Sequence, residues 1–296
     1  MKVIVLTDTH GQIDRINQLA IEYNADVCIH CGDVGFFDHI SIKNMSAAEL
    51  TKMIRHTSLS QEEKEHLCSL PQTEQSDFVL QNALAGNFED YLAGRKTFEI
   101  PVYAVWGNHE DIRIINLLRE KPLYNLTLLD EKNSVLLEKV RFYGLGGDFN
   151  EKHLPMARKL GIPCVKNQIK SAFWQYYELI KILDKQPENE IRIQITHCDP
   201  CETAFLEALA YRGKAALTLS GHMHRQENQF SHSCGSSDAV FRNFAEKYPS
   251  LPWAKMQTNS SETFVDHINL APSKPLILEI NGAEYHINNI KGNISC

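Results

Sequence analysis

The sequence predicts an α/β fold that occupies residues 1–296 as one domain. Two observations lead to this reading. Short β-type apolar runs alternate with helix-period segments, beginning with a β-α-β unit over residues 2–31. Five of these runs also stop abruptly at Gly, Asp, Asn or His clusters spread from Asp8 to His224, so a site built from them needs nearly the whole chain around it.

The elements follow in order. Val3 to Leu6 is a strand that ends at Thr7-Asp8-Thr9-His10, and Gln12 to Tyr23 carries a helical stripe of Ile13, Ile16, Leu19, Ala20 and Tyr23. Val27 to His30 is the second strand, ending at Cys31-Gly32-Asp33, and the unit should be right-handed and parallel. A polar, helix-prone insertion of about residues 38–98 comes next, including Ser46 to His56 and Ser60 to Leu67. Ser46 with Glu49, and Ser60 with Glu63, have capping-box spacing. Segments that leave strand ends beside a site are where such folds vary, so the insertion is expected either to cover the site or to be a helical decoration.

Val102 to Trp106 is a strand closed by Gly107-Asn108-His109, followed by a helix over Asp111 to Glu120. Thr127 to Leu129, Ser134 to Leu137 and Val140 to Leu145 read as antiparallel strands. Ile169, Phe173, Tyr176, Ile180 and Leu183 step by four and three, marking an amphipathic helix. Two further strands run Ile191 to Ile195, into Thr196-His197, and Ala216 to Ser220, into Gly221-His222-Met223-His224. Residues 225–262 form a loop-rich excursion with a helix near Ala239 to Lys247. The last strands lie near Phe264 to Leu270, Leu276 to Ile280 and Ala283 to Ile287, the final two joined by Asn281-Gly282.

The clusters share one chemistry. Asp8 and Asp33 offer carboxylate oxygens, Asn108 an amide oxygen, and His10, His197, His222 and His224 imidazole nitrogens. That donor set suits a borderline or hard divalent ion such as Mn, Fe, Zn or Co. Seven ligands are too many for one tetrahedral zinc, but they suit two ions sharing a bridging carboxylate, which can polarise a phosphate during in-line displacement. Taken singly, a strand-terminal Asp or Asn is most often a turn or cap residue. The joint, ordered set carries the argument.

Asp8-x-His10, Gly32-Asp33, Gly107-Asn108-His109, His197 and Gly221-His222-x-His224, in that order, resemble the calcineurin-like metallophosphoesterase superfamily, from residue 2 to about residue 225. The resemblance implies a four-layer α-β-β-α sandwich of two mixed sheets flanked by helices, with the late strands completing the second sheet. It implies two divalent ions, manganese first, with iron, zinc, cobalt or magnesium as alternatives. Asp8, His10 and His224 would hold one ion, Asn108, His197 and His222 the other, and Asp33 would bridge them. A hydroxide between the ions would attack phosphorus. His109 would bind no metal; it would hydrogen-bond the phosphate and protonate the leaving oxygen.

Departures from subfamily patterns narrow the substrate. Protein serine/threonine phosphatases follow Gly-Asp with Val-Asp-Arg-Gly, which supplies an acid for the catalytic histidine and a phosphate-binding arginine; here the stretch is Val34-Gly35-Phe36-Phe37. A protein phosphatase is therefore disfavoured, and the acid partner of His109 is open among Asp38, Glu110 and Asp111. Cyclic nucleotide diesterases keep an acid where Phe36 stands. The run from Phe88 to Leu92, through Gly94 to Pro101, is faintly similar to lariat RNA debranching enzymes, but those carry Cys in place of Asp8. The expected function is metal-dependent hydrolysis of a phosphomonoester or phosphodiester, with a phosphorylated small molecule, nucleotide or short nucleic acid as substrate. The alternative is a non-catalytic protein-binding scaffold on the same fold. Such scaffolds typically lose a histidine that this chain keeps.

Composition agrees. With 43% hydrophobic and 23% charged residues the chain is of ordinary globular type. A net charge of −7 argues against a broad nucleic-acid-binding surface. Within it, Lys152 to Lys170 is basic and free of acids, a solvated loop in preference to a phosphate-attracting rim. No run approaches the ~18 apolar residues of a membrane span, and Val3 to Leu6 is too short for a secretory core, so a cytoplasmic location without a membrane partner is expected. The pairs Cys28/Cys31 and Cys198/Cys201 have C-x-x-C spacing. Cys28 and Cys31, at i and i+3, should face opposite sides of the sheet, which favours structural thiols over a zinc or redox pair.

Overall fold

The computed structural model of the chain describes residues 1–147, 175–200, 204–224, 226–232, 239, 242, 246, 265–272, 274–288 and 294–295. The basic stretch from Lys152 to Lys170, and nearly all of the helix expected near Ala239 to Lys247, lie outside the described residues.

The chain opens with β1 (Lys2–Leu6), α1 (Asp14–Tyr23) and β2 (Val27–Cys31), and β1 pairs parallel to β2 with Val3 opposite Val27. Four helices follow, α2 (His39–Asn44), α3 (Ala47–Arg55), α4 (Gln61–Ser69) and α5 (Gln72–Gln81), then α6 (Phe88–Leu92) and β3 (Val102–Val105). Next come α7 (Ile112–Glu120), β4 (Leu126–Leu128), β5 (Val135–Leu137), β6 (Val140–Leu145) and a helix described over 175–183, α8. The remaining elements are β7 (Ile191–Thr196), α9 (Ala204–Arg212), β8 (Leu217–Ser220), β9 (Gln229–His232), β10 (Asp266–Asn269), β11 (Leu276–Asn281), β12 (Glu284–Asn288) and β13 (Ile294–Ser295).

Two mixed sheets form. The first has the order β13-β12-β11-β1-β2-β3-β4 and the second β5-β6-β7-β8-β10-β9. β1 to β4 are mutually parallel, with β11 antiparallel to β1; in the second sheet β6, β7, β8 and β10 are parallel. Strand alternation explains the layers. Val3, Val5 and Ile29 point into an inter-sheet core with Phe142, Ile193, Ile195 and Leu219, while Ile4 and Leu6 point outward onto Ile16 and Leu19 of α1 and Ile115 of α7. On the far side, Tyr143 and Leu145 pack under Tyr176 and Ile180 of α8 and Leu209 of α9. The α-β-β-α sandwich implied by the motifs is therefore present.

Two strand expectations change. β4, read as antiparallel to its successors, instead pairs parallel with β3 in the first sheet, and only β5 and β6 form the antiparallel pair. The late strands divide: β10 joins the second sheet beside β8, whereas β11, β12 and β13 extend the first sheet past β1. The β11–β12 loop is Gly282-Ala283, one residue later than expected, because Asn281 still pairs with Glu284. Gly282 takes φ +62, which suits the first turn position of a primed hairpin.

Helices α2 to α5 have a small core of their own, in which Leu50 and Ile54 of α3 meet Ile42, Leu67 and Val79, with Phe37 at its edge. Ser60 and Glu63 form the expected capping box at α4. At α3 only half of the box exists. Ser46 Oγ accepts from Glu49 N, but the Glu49 carboxylate does not return to Ser46. Cys28 and Cys31 do face opposite sides of the sheet, Cys28 toward α1 and Cys31 into the inter-sheet core, both as buried free thiols. Among the described residues no helix is long and apolar enough to cross a membrane.

Candidate metal centre

The C-terminal ends of five parallel strands, three from one sheet and two from the other, converge at one point. β1 delivers Asp8 and His10, β2 Asp33, β3 Asn108 and His109, β7 His197, and β8 His222 and His224. Ladder-like bonds continue past the strands and hold the loops: Asp8 N donates to Gly32 O at 3.0 Å, His10 N to Asp33 O at 2.9 Å, and Gly221 N to His197 O at 3.0 Å. Asp8, His10, Asp33, His222 and His224 all have positive φ, between 45° and 70°. Non-glycine residues held in sparsely populated backbone regions cost about 1–3 kcal/mol each and gather at functional sites. Here the strain turns side chains off the strand direction toward the common centre.

The glycines of the motifs have a steric reason. A Cβ on Gly107 would lie 2.0 Å from Asp33 Oδ1, and one on Gly221 would lie 1.8 Å from Thr7 Oγ1 and 2.7 Å from Asp8 Oδ2. No side chain fits where these loops pass the carboxylates.

Each carboxylate has one oxygen secured and one left bare. Asp8 Oδ2 accepts from Thr7 Oγ1 at 2.6 Å and from His222 N at 3.1 Å, while Asp33 Oδ1 accepts from His109 N at 3.1 Å. Asp8 Oδ1 and Asp33 Oδ2 are buried without a hydrogen bond among the described residues. Asp8 Oδ1 instead faces His224 Nε2 at 3.4 Å and His10 Nε2 at 3.9 Å, and the ligand atoms of Asp8, His10, Asp33 and His224 all lie within 4.8 Å of one another. Burial, with His56, His224 and His109 close by, lowers His10 to about 3 despite Asp33, so its ring presents a lone pair at neutral pH.

The second group surrounds His197. Its Nδ1 donates to Cys31 O at 2.9 Å, which turns Nε2 toward Asn108 Oδ1 at 3.0 Å, His222 Nδ1 at 3.2 Å and Asp33 Oδ2 at 3.3 Å. These four polar atoms crowd one point that suits a cation. Without an ion a proton fills that role: burial opposes it, but Asp33, Asp8 and Glu110 raise His197 to about 10. Burial likewise opposes the charge on Asp33, yet His197, His109 and His10 hold its carboxyl well below the usual range; Asp8, by contrast, is raised by burial against the pull of His197. Two bare buried carboxylate oxygens, an amide oxygen and imidazole nitrogens are a donor set that fits divalent cations. All seven residues expected as ligands are brought together.

His109 stands beside this cluster with Nε2 4.0 Å from Asp33 Oδ2. Its Nδ1 donates to Glu49 Oε2 at 2.9 Å. The acid partner left open by the sequence is therefore Glu49, on α3. Burial would raise Glu49, but His109 and Lys52 lower it to about 2, so it stays ionised. None of the three sequence candidates contacts the His109 ring in this way. Asp38 caps α2 and pairs with Arg113, Asp111 caps α7, and Glu110 accepts from Gly35 N at 3.3 Å and Gly107 N at 2.7 Å, bracing the β2 and β3 loops against each other. Burial, with Asp33 beside it, pushes Glu110 up to about 8. His56 was also unassigned. It stacks on His10 at 4.3 Å and on His224 at 4.6 Å between ring centroids. Glu49, Met53 and His56 are at i, i+4 and i+7, one helix face distinct from the Leu50/Ile54 anchor, but the spacing does not show what that face meets.

The calcineurin-like phosphoesterase family matches the sequence over residues 1–226. Among curated proteins none matches it. Solved structures with a similar chain course include a dimetal phosphatase from Danio rerio, at 10% identity, TM-score 0.42 and coverage of 100% of this chain and 98% of that one. A conserved uncharacterised protein from Streptococcus pneumoniae, described as a predicted phosphoesterase, is similar at 11% identity and TM-score 0.33, covering 100% and 97%. Likeness at that level leaves the function to the site and to the family match, which takes in every strand end of the centre from Asp8 to His224: the chain belongs to the calcineurin-like phosphoesterase family.

Proposed function

We propose that the protein is a two-metal phosphoester hydrolase built as one domain, with α2 to α5 covering one side of the centre. Asp8, His10 and His224 hold one divalent ion, Asn108, His197 and His222 the other, and Asp33 bridges them; manganese is the first choice, with iron, zinc, cobalt or magnesium as alternatives. The observation that carries this reading is the pair of buried carboxylate oxygens, Asp8 Oδ1 and Asp33 Oδ2, that face imidazole nitrogens, each on a carboxylate whose other oxygen the protein already secures. Bound ions would activate water and offset charge on the transferring phosphoryl group.

The chain's own groups do the rest. Glu49 accepts the Nδ1 proton of His109 and fixes the ring, leaving Nε2 toward the centre, where it can hydrogen-bond a phosphate and give a proton to the leaving oxygen. Glu49 is thus a positioning residue. Glu49→Gln should lower kcat on the order of tenfold, a fraction of the 10²–10⁴ that a positioned acid contributes, with metal content unchanged. Metal analysis alongside the kinetics checks this, and unaltered kcat would remove Glu49 from the mechanism.

The reading as a whole is tested by a manganese-supplemented screen of aryl monoesters, linear and cyclic diesters and short RNAs. Hydrolysis of at least one class, abolished by chelation, is expected. No turnover on any ester with metal bound would favour the scaffold alternative.

A further inference from the structure

The helical insertion brings one more imidazole to the centre. His56 is the C-cap residue of α3, and none of the strand-end motifs contains it. Its place is set from two sides. Leu50 and Ile54 anchor α3 in the helical core, and the bond from His109 to Glu49 at 2.9 Å ties the other face of the helix to the centre.

His10 and His224 show how two rings that serve one ion are arranged here. Their centroids are 5.1 Å apart, their planes differ by 11°, and their Nε2 atoms stand 3.4 Å apart. His56 repeats that relation, at 4.3 Å and 10° from His10 and at 4.6 Å and 20° from His224. One nitrogen from each of the three rings lies within 4.8 Å of the other two. Nitrogens on one zinc stand at most about 4.2 Å apart, twice a Zn–N distance of about 2.1 Å, so a small turn of the exposed His56 side chain closes the set.

Stacking alone is a weaker account of this ring. His56 is exposed, so the stack removes little apolar surface from water, and among the described residues its ring nitrogens make no hydrogen bond. Negative charge is already directed at the same place. Asp8 Oδ1 lies 3.4 Å from His224 Nε2 and 3.9 Å from His10 Nε2, and α3 ends there, where the partial negative charge of a helix C-terminus favours a cation.

We infer that His56 is a further ligand of the ion that Asp8, His10 and His224 hold, and that this ion pins α3, with Glu49, onto the sandwich. The inference rests on the two-metal reading for that ion. A third imidazole also tilts the donor set toward zinc, iron or cobalt and away from magnesium, whose ligands are oxygens.

The test titrates zinc into the full chain and into His56→Ala and His56→Phe, reading both equivalents by chelator competition. Each variant is expected to weaken one equivalent at least about tenfold, no less than loss of an outer-shell partner costs, and to leave the other unchanged. Phenylalanine keeps a flat ring against His10 and His224 but offers no lone pair, so a role in stacking alone would leave that variant parent-like. Parent-like affinity in either variant overturns the ligand while Asp8, His10 and His224 keep their ion. A parent chain that binds no zinc would instead remove the two-metal reading, and this inference with it. A second readout needs no variant. In crystals of the zinc-loaded parent, a His56 nitrogen is expected about 2.0–2.1 Å from the ion. A His56 ring with both nitrogens beyond bonding reach overturns the ligand even if neither variant folds.

Discussion

Asp33→Asn is expected to reduce bound metal from two ions per chain to at most one and to lower turnover by more than the roughly 10–100-fold that loss of an outer-shell partner costs a metal site. The amide keeps the acceptor for His109 N, so the loop geometry survives, while the buried charge that both groups of ligands share is gone. The same substitution exposes the linkage between metal and proton. Metal-free His197 is held protonated up to about 10, chiefly by Asp33 once the opposing effect of burial is overcome. An ion must displace that proton, so in the parent protein metal loading at pH 7.5 releases protons and the apparent affinity rises as pH rises toward 10. Calorimetry in buffers of different ionisation enthalpy reads the release. Parent-like metal content in the variant would show that Asp33 is not a bridge.

His109→Ala is expected to lower kcat by about 10²–10⁴-fold while leaving both ions in place. Its backbone N–H, which orients Asp33, is retained, and its ring nitrogen is 4.0 Å from the nearest bare oxygen, unlike the ring of His197. The loss should exceed that of Glu49→Gln, because the first removes the donor and the second only its orientation. Combining the two should add little to His109→Ala alone, since Glu49 acts through that ring. Loss of an ion from His109→Ala would make it a ligand and require a different proton donor.

The seven proposed ligand positions stand out in the sequence because each follows the end of a strand run, and the structure brings them together. Asp8 and Asp33 each come one residue after a buried strand run, and the spacing in Gly221-His222-x-His224 gives two imidazoles at one strand end. Sheet membership was less legible. A three-residue strand such as β4, or the β11–β12 hairpin, alternates in the same way whichever sheet it joins, and its partner is decided by where the connection crosses the sandwich. Glu49 was hidden for a different reason. Ser46-x-x-Glu49 fits a local capping box, and nothing nearby in the sequence shows that the carboxylate turns instead to a histidine 60 residues away. His56 was hidden likewise: alone it reads as a solvated residue, and its place against His10 and His224 depends on how α3 packs over Leu67 and Val79.

The two-metal claim is tested most directly by anomalous diffraction from crystals of the manganese-loaded protein. Two peaks roughly 3.5–4 Å apart are predicted, one beside Asp8, His10 and His224, the other beside Asn108, His197 and His222, with Asp33 between them. A single peak, or none near Asp33, in crystals of protein that hydrolyses phosphoesters would contradict the account.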